Sequence, residues 1–291
     1  MSIQSTNIDP ETVAAFGREW QAFDQHELPR AEQQWLFEQY FSEFPWDELP
    51  TAAEGFDLGC GSGRWAALVA PRVARLHCID PAADALEVCH RRLARAGNVD
   101  FHLAAADTIP LPDASQDFGY SLGVLHHVPD TAKALSDAAR KLKPGAPFLV
   151  YLYYDFENRP AWFRRLWKAS DVGRSLIARL PFPAKKVVTS VIAAFLYWPL
   201  SRAALVLEKF GVDVSNLPLS SYRHRAFYSQ RTDALDRFGT RLERRFSTSE
   251  IRRIMEAAGL HHIQFRNGEP YWCACGRRME DPRPLPNEDP A

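Results

Sequence analysis

The sequence FDLGCGSGRWA, residues 56–66, decides the fold of this chain. It runs from an apolar stretch through three glycines into a segment that predicts a helix. Gly59, Gly61 and Gly63 permit positive φ angles and leave the main chain bare, so a ligand can lie directly against it. The first N–H groups of the following helix have no partner within that helix. The pattern predicts a strand, a ligand-binding turn and a helix.

The acidic residues around this turn indicate which ligand it binds. Asp57 precedes the first glycine by two residues, where a carboxylate repels a pyrophosphate but pairs with an ammonium group such as that of S-adenosylmethionine. Residues 61–66 also fit the G-x-G-x-x-A fingerprint of dinucleotide folds. Asp80 ends the next predicted strand and suits ribose hydroxyls in either fold. Asp107 follows the strand predicted at 99–106 and is placed to accept a hydrogen bond from an adenine amino group, which favours S-adenosylmethionine.

Together these segments resemble class I S-adenosylmethionine-dependent methyltransferases, specifically the large bacterial group that acts on small molecules. The resemblance covers residues 50–154 and 247–278. It implies that Asp57 and the first two glycines hold the methionine part, Asp80 the ribose and Asp107 the adenine. The cofactor-binding residues expected on this basis are Asp57, Gly59, Cys60, Gly61, Gly63, Asp80, Pro81, Ala106, Asp107, Thr108 and Gly123.

Alternating strand and helix patterns predict an α/β fold with a doubly wound, Rossmann-like sheet. Ser247 and Glu250 form a capping box before a last helix at 251–258, and strands at 260–266 and 271–277 form a terminal antiparallel hairpin. The expected organisation is an N-terminal helical cap (1–50), a cofactor-binding core (51–154), a mainly helical insertion (155–246), completion of the core (247–278) and a disordered tail (279–291).

Composition favours a cytoplasmic enzyme. The 35 basic and 36 acidic residues nearly balance, which argues against a nucleic-acid partner. The N-terminal stretch lacks the basic and apolar regions of a signal peptide. The five cysteines lack C-x-x-C spacing and are interpreted as reduced packing residues. Cys273 and Cys275 alternate along one strand, but two thiols without a histidine at ligand spacing make a poor metal site, so no metal is expected.

The insertion predicts either a lid over the substrate or a contact with a membrane surface. Residues 156–211 contain ten basic and three acidic residues, with aromatic residues interleaved. The apolar run 187–200 is only about 14 residues long and meets Pro199, which falls short of the ~20 residues that span a bilayer. A basic, aromatic, helical segment suits an interfacial helix, a lid over an amphiphilic substrate, or a cap that packs on its own domain with a solvated basic face.

Substrate-binding residues are expected in two regions outside the sheet. Phe16, Trp20 and Phe23 lie three and four residues apart on one face of a predicted helix, which either packs on the sheet or closes over the cofactor. Residues 221–239 combine aromatics, arginines and carboxylates, as a pocket wall does, although a surface lattice of salt bridges explains them equally well. The residues expected to contact substrate are Phe16, Trp20, Tyr154, Tyr222, Arg223 and Tyr228.

Two histidines follow the fourth predicted strand, at the edge where open α/β sheets bind ligands. Histidine suits proton removal near neutral pH, and in similar O-methyltransferases a histidine at this point acts as the base. His126 is the first candidate and His127 the second, with packing or helix capping as the alternative. The sequence predicts methyl transfer to a small molecule, with oxygen favoured and an amphiphilic or glycosylated acceptor. A cofactor-binding scaffold at a membrane surface and an NAD-dependent oxidoreductase are the alternatives.

Overall fold

The structure, a computed structural model, describes residues 7–279. Seven strands in this region form one sheet in the spatial order β3-β2-β1-β4-β5-β7-β6. β7 runs antiparallel to both of its neighbours, and the pairs among β1 to β5 are parallel. The predicted α/β fold with a terminal antiparallel hairpin is confirmed. The strands are β1 (Glu54–Leu58), β2 (Arg75–Asp80), β3 (Val99–Leu103), β4 (Phe118–Leu122), β5 (Pro147–Tyr151), β6 (Leu260–Phe265) and β7 (Cys273–Arg278).

Ten α-helices are assigned within residues 7–279. Those of the core cover the two faces of the sheet, and α6 to α9 make up the insertion. The helices are α1 (Pro10–Ala22), α2 (Arg30–Tyr40), α3 (Ala66–Val69), α4 (Ala83–Arg92), α5 (Thr131–Lys141), α6 (Ala161–Ile177), α7 (Phe182–Ile192), α8 (Trp198–Lys209), α9 (Phe227–Gly239) and α10 (Thr248–Ala257). The predicted capping box at Ser247 and Glu250 is present at the start of α10. All but the first residue of the predicted tail lies outside the described residues.

The central strands carry two apolar cores, one on each face of the sheet. One core packs β1, β5 and β6 against α5 and α10, and the other packs β2 and β4 against α2, α3 and α4. Every residue of β4 is buried, as expected for a strand covered on both faces. β3 ends at Leu103 rather than at the predicted residue 106, because its partner β2 ends at Asp80 opposite Leu103. The freed residues 104–106 turn along the edge of the sheet where the predicted site lies.

The insertion forms a helical layer in which α9 lies against both α6 and α7. The expectation that the apolar run 187–200 is too short to span a bilayer was wrong. A π-helical turn at Ala193–Tyr197 joins α7 to α8, so Phe182–Lys209 is one continuous helix of 28 residues. Pro199 lies at the start of α8, just after the π turn, and does not end the helix. By length and apolar composition this helix is sufficient to cross a membrane.

The N-terminal helices connect the core to the insertion. α1 packs on the start of α4, where a Cβ on Gly17 would lie 3.2 Å from Asp84 Cβ. Glu32 of α2 accepts hydrogen bonds from the Ala226 N–H at 2.8 Å and the Ser229 hydroxyl at 2.6 Å, at the start of α9. These hydrogen bonds fix the start of α9 to α2.

Candidate active site

The glycine turn after β1 has the backbone geometry that its sequence predicts. Gly59, Gly61 and Gly63 have φ angles of 79°, 53° and 72°, in the left-handed region that strains residues with a side chain. A Cβ on Gly61 would lie 2.9 Å from Trp20 Nε1, and a Cβ on Gly59 would lie 2.4 Å from Val124 Cγ1. The turn therefore requires glycine for its backbone and for the close packing of its neighbours.

Asp80, at the end of β2, is buried beside this turn. Its Oδ2 accepts a hydrogen bond from the Gly61 N–H at 2.9 Å, and its Oδ1 accepts one from the Ala82 N–H at 2.8 Å. Each carboxylate oxygen keeps a further lone pair, so two hydroxyl donors can still bind. Burial raises the pKa of Asp80 to about 6, although the two amide hydrogen bonds oppose this shift. The group is thus largely ionised at neutral pH and fits the two ribose hydroxyls of S-adenosylmethionine.

A cavity of about 560 Å³ lies at this edge of the sheet, within the ~300–1,000 Å³ typical of small-molecule sites. Its wall consists of the segments after β1 to β4, the inner side of α1, and parts of the insertion. It brings together most of the residues predicted from the sequence. Those on its wall are Phe16, Trp20, Gly59, Cys60, Gly61, Asp80, Pro81, Ala106, Gly123, His127, Tyr154 and Tyr222.

Four predicted cofactor residues do not belong to the described wall of this cavity. Asp57 is buried within β1, where burial raises its pKa and its Oδ2 has no hydrogen-bond partner among residues 7–279. Gly63 packs against Cys89, whose Sγ would lie 2.7 Å from an added Cβ. Thr108 hydrogen-bonds within its own turn, to Ala105. The expected contact of Asp57 with an ammonium group stays a prediction.

Asp107, the fourth, is held by the N-terminal segment. Its Oδ2 accepts the Asn7 N–H at 3.2 Å and lies 3.9 Å from Lys133 Nζ. The Asn7 side chain also makes two hydrogen bonds to the backbone of Asp130, the N-cap of α5. An adenine amino group at Asp107 would therefore have to share this carboxylate with Asn7.

Two predicted substrate residues are engaged elsewhere. Arg223 forms an ion pair with Glu208 at 2.9 Å, at the surface of the insertion. The Tyr228 hydroxyl accepts the Gln25 N–H at 3.0 Å, and its ring packs edge-on against Phe23 at 6.0 Å. Phe23 therefore belongs to a packing cluster between α1 and α9, although it shares a sequence stripe with Phe16 and Trp20.

The helix α1 covers the cavity with its inner face. Thr12, Phe16, Glu19 and Trp20 all line the cavity, and the Trp20 indole lies against Gly61. Glu19 is only 5 % exposed, and burial raises its pKa well above the usual range. A ligand in the cavity would be enclosed between the sheet edge and this helix.

The two adjacent histidines have different surroundings. They belong to a single helical turn, Leu125–His127. The His126 ring is fully buried, stacks on Tyr153 at 3.8 Å and is absent from the described cavity wall. Burial lowers its pKa well below the usual range, so the ring stays neutral. His127 lines the cavity, so its position favours it over His126, the first candidate from the sequence.

His127 has a defined tautomer. Its Nδ1 lies 2.6 Å from the Leu242 carbonyl oxygen, which can only accept, so Nδ1 carries a proton and, in the neutral ring, the lone pair is on Nε2. Nε2 lies 3.9 Å from Asp236 Oδ1 and has no hydrogen-bond partner within residues 7–279. The Phe16 ring lies 4.8 Å from the imidazole, centroid to centroid. His127 is therefore a candidate proton acceptor on the cavity wall, beside an α1 side chain.

Sequence reasoning missed the carboxylate beside this histidine. Asp236 of α9 lines the cavity, accepts a hydrogen bond from the Tyr153 hydroxyl, and has its pKa raised by burial. Arg225 is ion-paired with Asp233 at 3.0 Å, and both also line the cavity. The mixture of arginine and carboxylate in residues 221–239 was the available signal, but it could not distinguish a buried wall from a surface lattice.

Three cysteines lie together next to the glycine turn. The Sγ atoms of Cys60, Cys78 and Cys89 are within 4.8 Å of one another, and all three residues are buried. The sequence assigned them to packing, because they lack C-x-x-C spacing, and all three are free, buried residues of the apolar core. The fold also places Cys60 of the turn, Cys78 of β2 and Cys89 of α4 in one thiol cluster.

Comparison with known proteins identifies the kind of domain. A family model for a methyltransferase domain matches residues 56–150. A protein of Mycolicibacterium smegmatis described as a probable S-adenosylmethionine-dependent methyltransferase is 35 % identical over 123 residues, 41 % of this chain and 46 % of its own length. The ubiquinone biosynthesis O-methyltransferase of Methylocella silvestris is 28 % identical over 158 residues, 48 % of this chain and 62 % of its own length.

Among solved structures, phosphoethanolamine N-methyltransferase 2 of Haemonchus contortus, in complex with S-adenosyl-L-methionine, aligns with a TM-score of 0.47 and 16 % identity. That alignment covers 89 % of this chain and 43 % of the other. The chain spans about half the length of the first curated relatives that it matches.

Proposed function

We propose that this chain, whose core is a class I S-adenosylmethionine-dependent methyltransferase domain, transfers a methyl group to an oxygen of a small amphiphilic acceptor. S-adenosylmethionine is the cofactor of the domain and supplies an activated methyl group. The observation that carries the proposal is His127, which lines the cavity that Asp80 and the glycine turn also line, and whose Nε2 has no hydrogen-bond partner within residues 7–279. An oxygen acceptor must lose a proton during transfer, and this nitrogen can take it.

The roles of the remaining residues follow from their positions. Asp80 would hold the ribose, while the bare main chain at Gly59 and Gly61 would lie against the methionine part. α1 would exclude water from above, since Phe16 and Trp20 lie between the cavity and the solvent side of that helix. Leu242, through its carbonyl oxygen, would keep a proton on Nδ1, so that the lone pair of the neutral ring is on Nε2.

Asp236 supports the same proton transfer. When His127 accepts a proton it becomes a cation, and a carboxylate at 3.9 Å stabilises that cation. The Tyr153 hydroxyl orients the carboxylate by donating to its other oxygen. His127 and Asp236 are therefore proposed as the base and its positioning partner, with His126 as a packing residue.

The acceptor class is inferred from the two kinds of wall that the cavity has. Leu166, Leu196 and Leu200 are apolar and exposed, whereas Asp233, Asp236 and Arg225 are polar lining residues with less exposure. An acceptor with an apolar tail and a polar hydroxyl-bearing head would match both. A glycosylated head is compatible with the polar end, and contact of residues 155–211 with a membrane would supply such acceptors.

The proposal is tested by transfer of labelled methyl groups to a panel of phenolic and glycosylated amphiphiles. We expect His127→Ala to lower turnover about 10²–10⁴-fold, with the affinity for S-adenosylhomocysteine unchanged in calorimetry. His126→Ala is the control next to it in the chain and should retain the cofactor affinity and most of the turnover, provided that the fold is intact by circular dichroism. Full activity of His127→Ala would reject the base.

A complete absence of transfer, combined with tight S-adenosylhomocysteine binding, would favour a cofactor-binding scaffold. Methyl transfer to nitrogen, unaffected by His127→Ala, would retain the enzyme and reject the oxygen acceptor. These outcomes therefore test cofactor binding and the chemistry of methyl transfer separately.

A further inference from the structure

The insertion exposes an unusual amount of apolar surface. Of the nineteen large apolar side chains that are exposed within residues 7–279, fourteen lie between residues 156 and 211. Soluble proteins rarely expose contiguous apolar patches of this kind without a partner. We call these fourteen the insert face: Trp162, Leu166, Val172, Leu176, Leu180, Val187, Val191, Phe195, Leu196, Trp198, Leu200, Val206, Leu207 and Phe210.

The long helix Phe182–Lys209 shows that the insert face is a surface and not a loosely packed core. Its opposite side is buried, with Thr189, Ala193, Tyr197, Ser201 and Ala204 following one another at helical spacing. Ala193 and Tyr197 pack against Ala234 of α9. Phe195 and Phe210, in contrast, are 79 % and 80 % exposed. One side of the helix is therefore fixed to the protein, and the other side carries largely exposed apolar side chains.

This anchoring favours a helix that lies in the plane of a membrane rather than across it. The helix is long enough to span a bilayer, and only 22 % of its most apolar 18-residue stretch is buried. However, Arg202 donates hydrogen bonds from its guanidinium to the carbonyl oxygens of Tyr222 and Arg225, and Ser201 bonds to Gln230 of α9. A spanning orientation would break these contacts, whereas an in-plane orientation buries the apolar side and keeps them.

The charges around the insert face match an anionic surface. Arg164, Arg165 and Lys168 on α6, with Arg179 and Lys209, are exposed and form no ion pair within residues 7–279. The three acidic residues of the segment are occupied: Glu157 caps α10 at Thr248, Asp171 pairs with Arg174, and Glu208 pairs with Arg223. Unpaired basic side chains beside exposed apolar ones are characteristic of interfacial helices on anionic lipid.

The insert face also borders the cavity. Leu166 of α6, Leu196 of the π turn and Leu200 of α8 are 53 %, 46 % and 41 % exposed, and all three line the cavity. The same side chains therefore belong to the outer apolar surface and to the wall of the candidate active site. If that surface rests on a bilayer, an apolar chain can move from lipid into the cavity without crossing water.

We propose that the insert face docks in the plane of an anionic bilayer, and that the acceptor is an amphiphile dissolved in that bilayer, which enters the cavity past Leu166, Leu196 and Leu200. The identification of the acceptor rests on the proposed methyl transfer. The docking rests on the surface alone, so the two can fail separately.

Docking is tested by flotation of the full chain with phosphatidylcholine vesicles, with and without phosphatidylglycerol. We expect binding only to the anionic vesicles, and weaker binding in high salt, because surface charges are screened over about 10 Å at 0.1 M. Neutralising Arg164, Arg165 and Lys168 together to glutamine should lower the partition coefficient about 100-fold. Phe195→Ser and Phe210→Ser should each lower it roughly tenfold.

Trp35→Ser is the matched control, because Trp35 is 42 % exposed but belongs to α2, outside the insert face. It should float as the unmodified chain does. Absence of flotation with anionic vesicles at low salt, or flotation that none of the insert-face variants weakens, would overturn the proposal. So would a concentration-dependent dimer that Phe195→Ser abolishes in a chain that binds no vesicles, since the face would then be covered by a second copy.

The acceptor is tested with the same variants. Phe195 and Phe210 do not line the cavity, so their substitution should leave transfer to a short, water-soluble acceptor unchanged and reduce transfer to a long-chain acceptor in vesicles about tenfold. Equal rates on both acceptors in all variants would reject access from the membrane while leaving methyl transfer intact. Vesicle binding without transfer to any acceptor would retain the docking surface and reject the proposed function.

Discussion

Replacement of Asp80 by asparagine tests the cofactor site most directly. Asp80 is expected to accept two hydroxyl hydrogen bonds, and bonds to a charged acceptor contribute about 1.5–3 kcal/mol. Asparagine keeps one carbonyl oxygen but replaces the second oxygen by an amide NH₂ group, which only donates. This group would face either the Gly61 N–H or a ribose hydroxyl, so two donors would meet without an acceptor. If the loss is about 1.5–3 kcal/mol in total, the affinity for S-adenosylhomocysteine falls roughly 10- to 150-fold.

The pH dependence gives the same test without a mutation. The pKa of Asp80 is raised by burial to about 6, and hydroxyls donate best to the ionised form. Affinity should therefore weaken as pH falls through 6, to about a tenth of its pH 7 value at pH 5. Stability moves the other way: since the folded pKa is raised, the stabilising contribution of this group is complete below its unfolded pKa of about 3.9 and is lost as pH rises through about 6.

Calorimetry of S-adenosylhomocysteine binding between pH 5 and 8 measures the loss of affinity in the variant and the pH dependence of affinity in the unmodified chain. Asp113→Asn is the matched control, because Asp113 is 60 % exposed and pairs with Lys141 away from the cavity. Affinity within twofold of the unmodified chain in Asp80→Asn, or a flat pH profile in the unmodified chain, would refute the assignment of Asp80. In the variant the pH dependence near 6 should disappear.

Two further predictions follow from local geometry. Gly61→Ala adds a Cβ at 2.9 Å from Trp20 Nε1 on a residue with φ of 53°, and should weaken S-adenosylhomocysteine binding more than tenfold, since left-handed backbone alone costs an alanine about 1–2 kcal/mol; unaltered affinity in calorimetry would contradict the close approach. Ser247→Ala removes the cap of α10, where the Ser247 hydroxyl accepts the Glu250 N–H, and should lower stability by about 1 kcal/mol, seen as a lower melting temperature with unchanged cofactor affinity.

Local sequence was sufficient where a feature depends on neighbouring residues. The glycine turn needs positive φ at three positions, and only the residue types at those positions decide that. Asp80 follows because a strand of ordinary length places the next acid at the same edge of the sheet. The capping box of α10 joins two residues three apart, so it too could be predicted from the chain.

The two histidines show what local sequence cannot predict, namely the environment of each side chain. His126 and His127 are adjacent and chemically identical, and both fit the expected position of a base. Their environments differ because Tyr153 stacks on one, while the Leu242 carbonyl fixes the tautomer of the other. Asp236, the carboxylate beside His127, comes from a helix more than a hundred residues away. No pattern within either segment predicts that these two side chains lie close together.

The sequence by itself determined the sheet, the glycine turn and the basic, aromatic character of the insertion, because these depend on periodicity and spacing along the chain. Only the tertiary structure decided which side chains face the cavity, which of two histidines lies on its wall, and that an apolar run interrupted by Pro199 continues as a 28-residue helix. The reason is that burial and orientation depend on which elements pack together. Packing against α9 buries one side of this helix and leaves apolar side chains on the other side exposed.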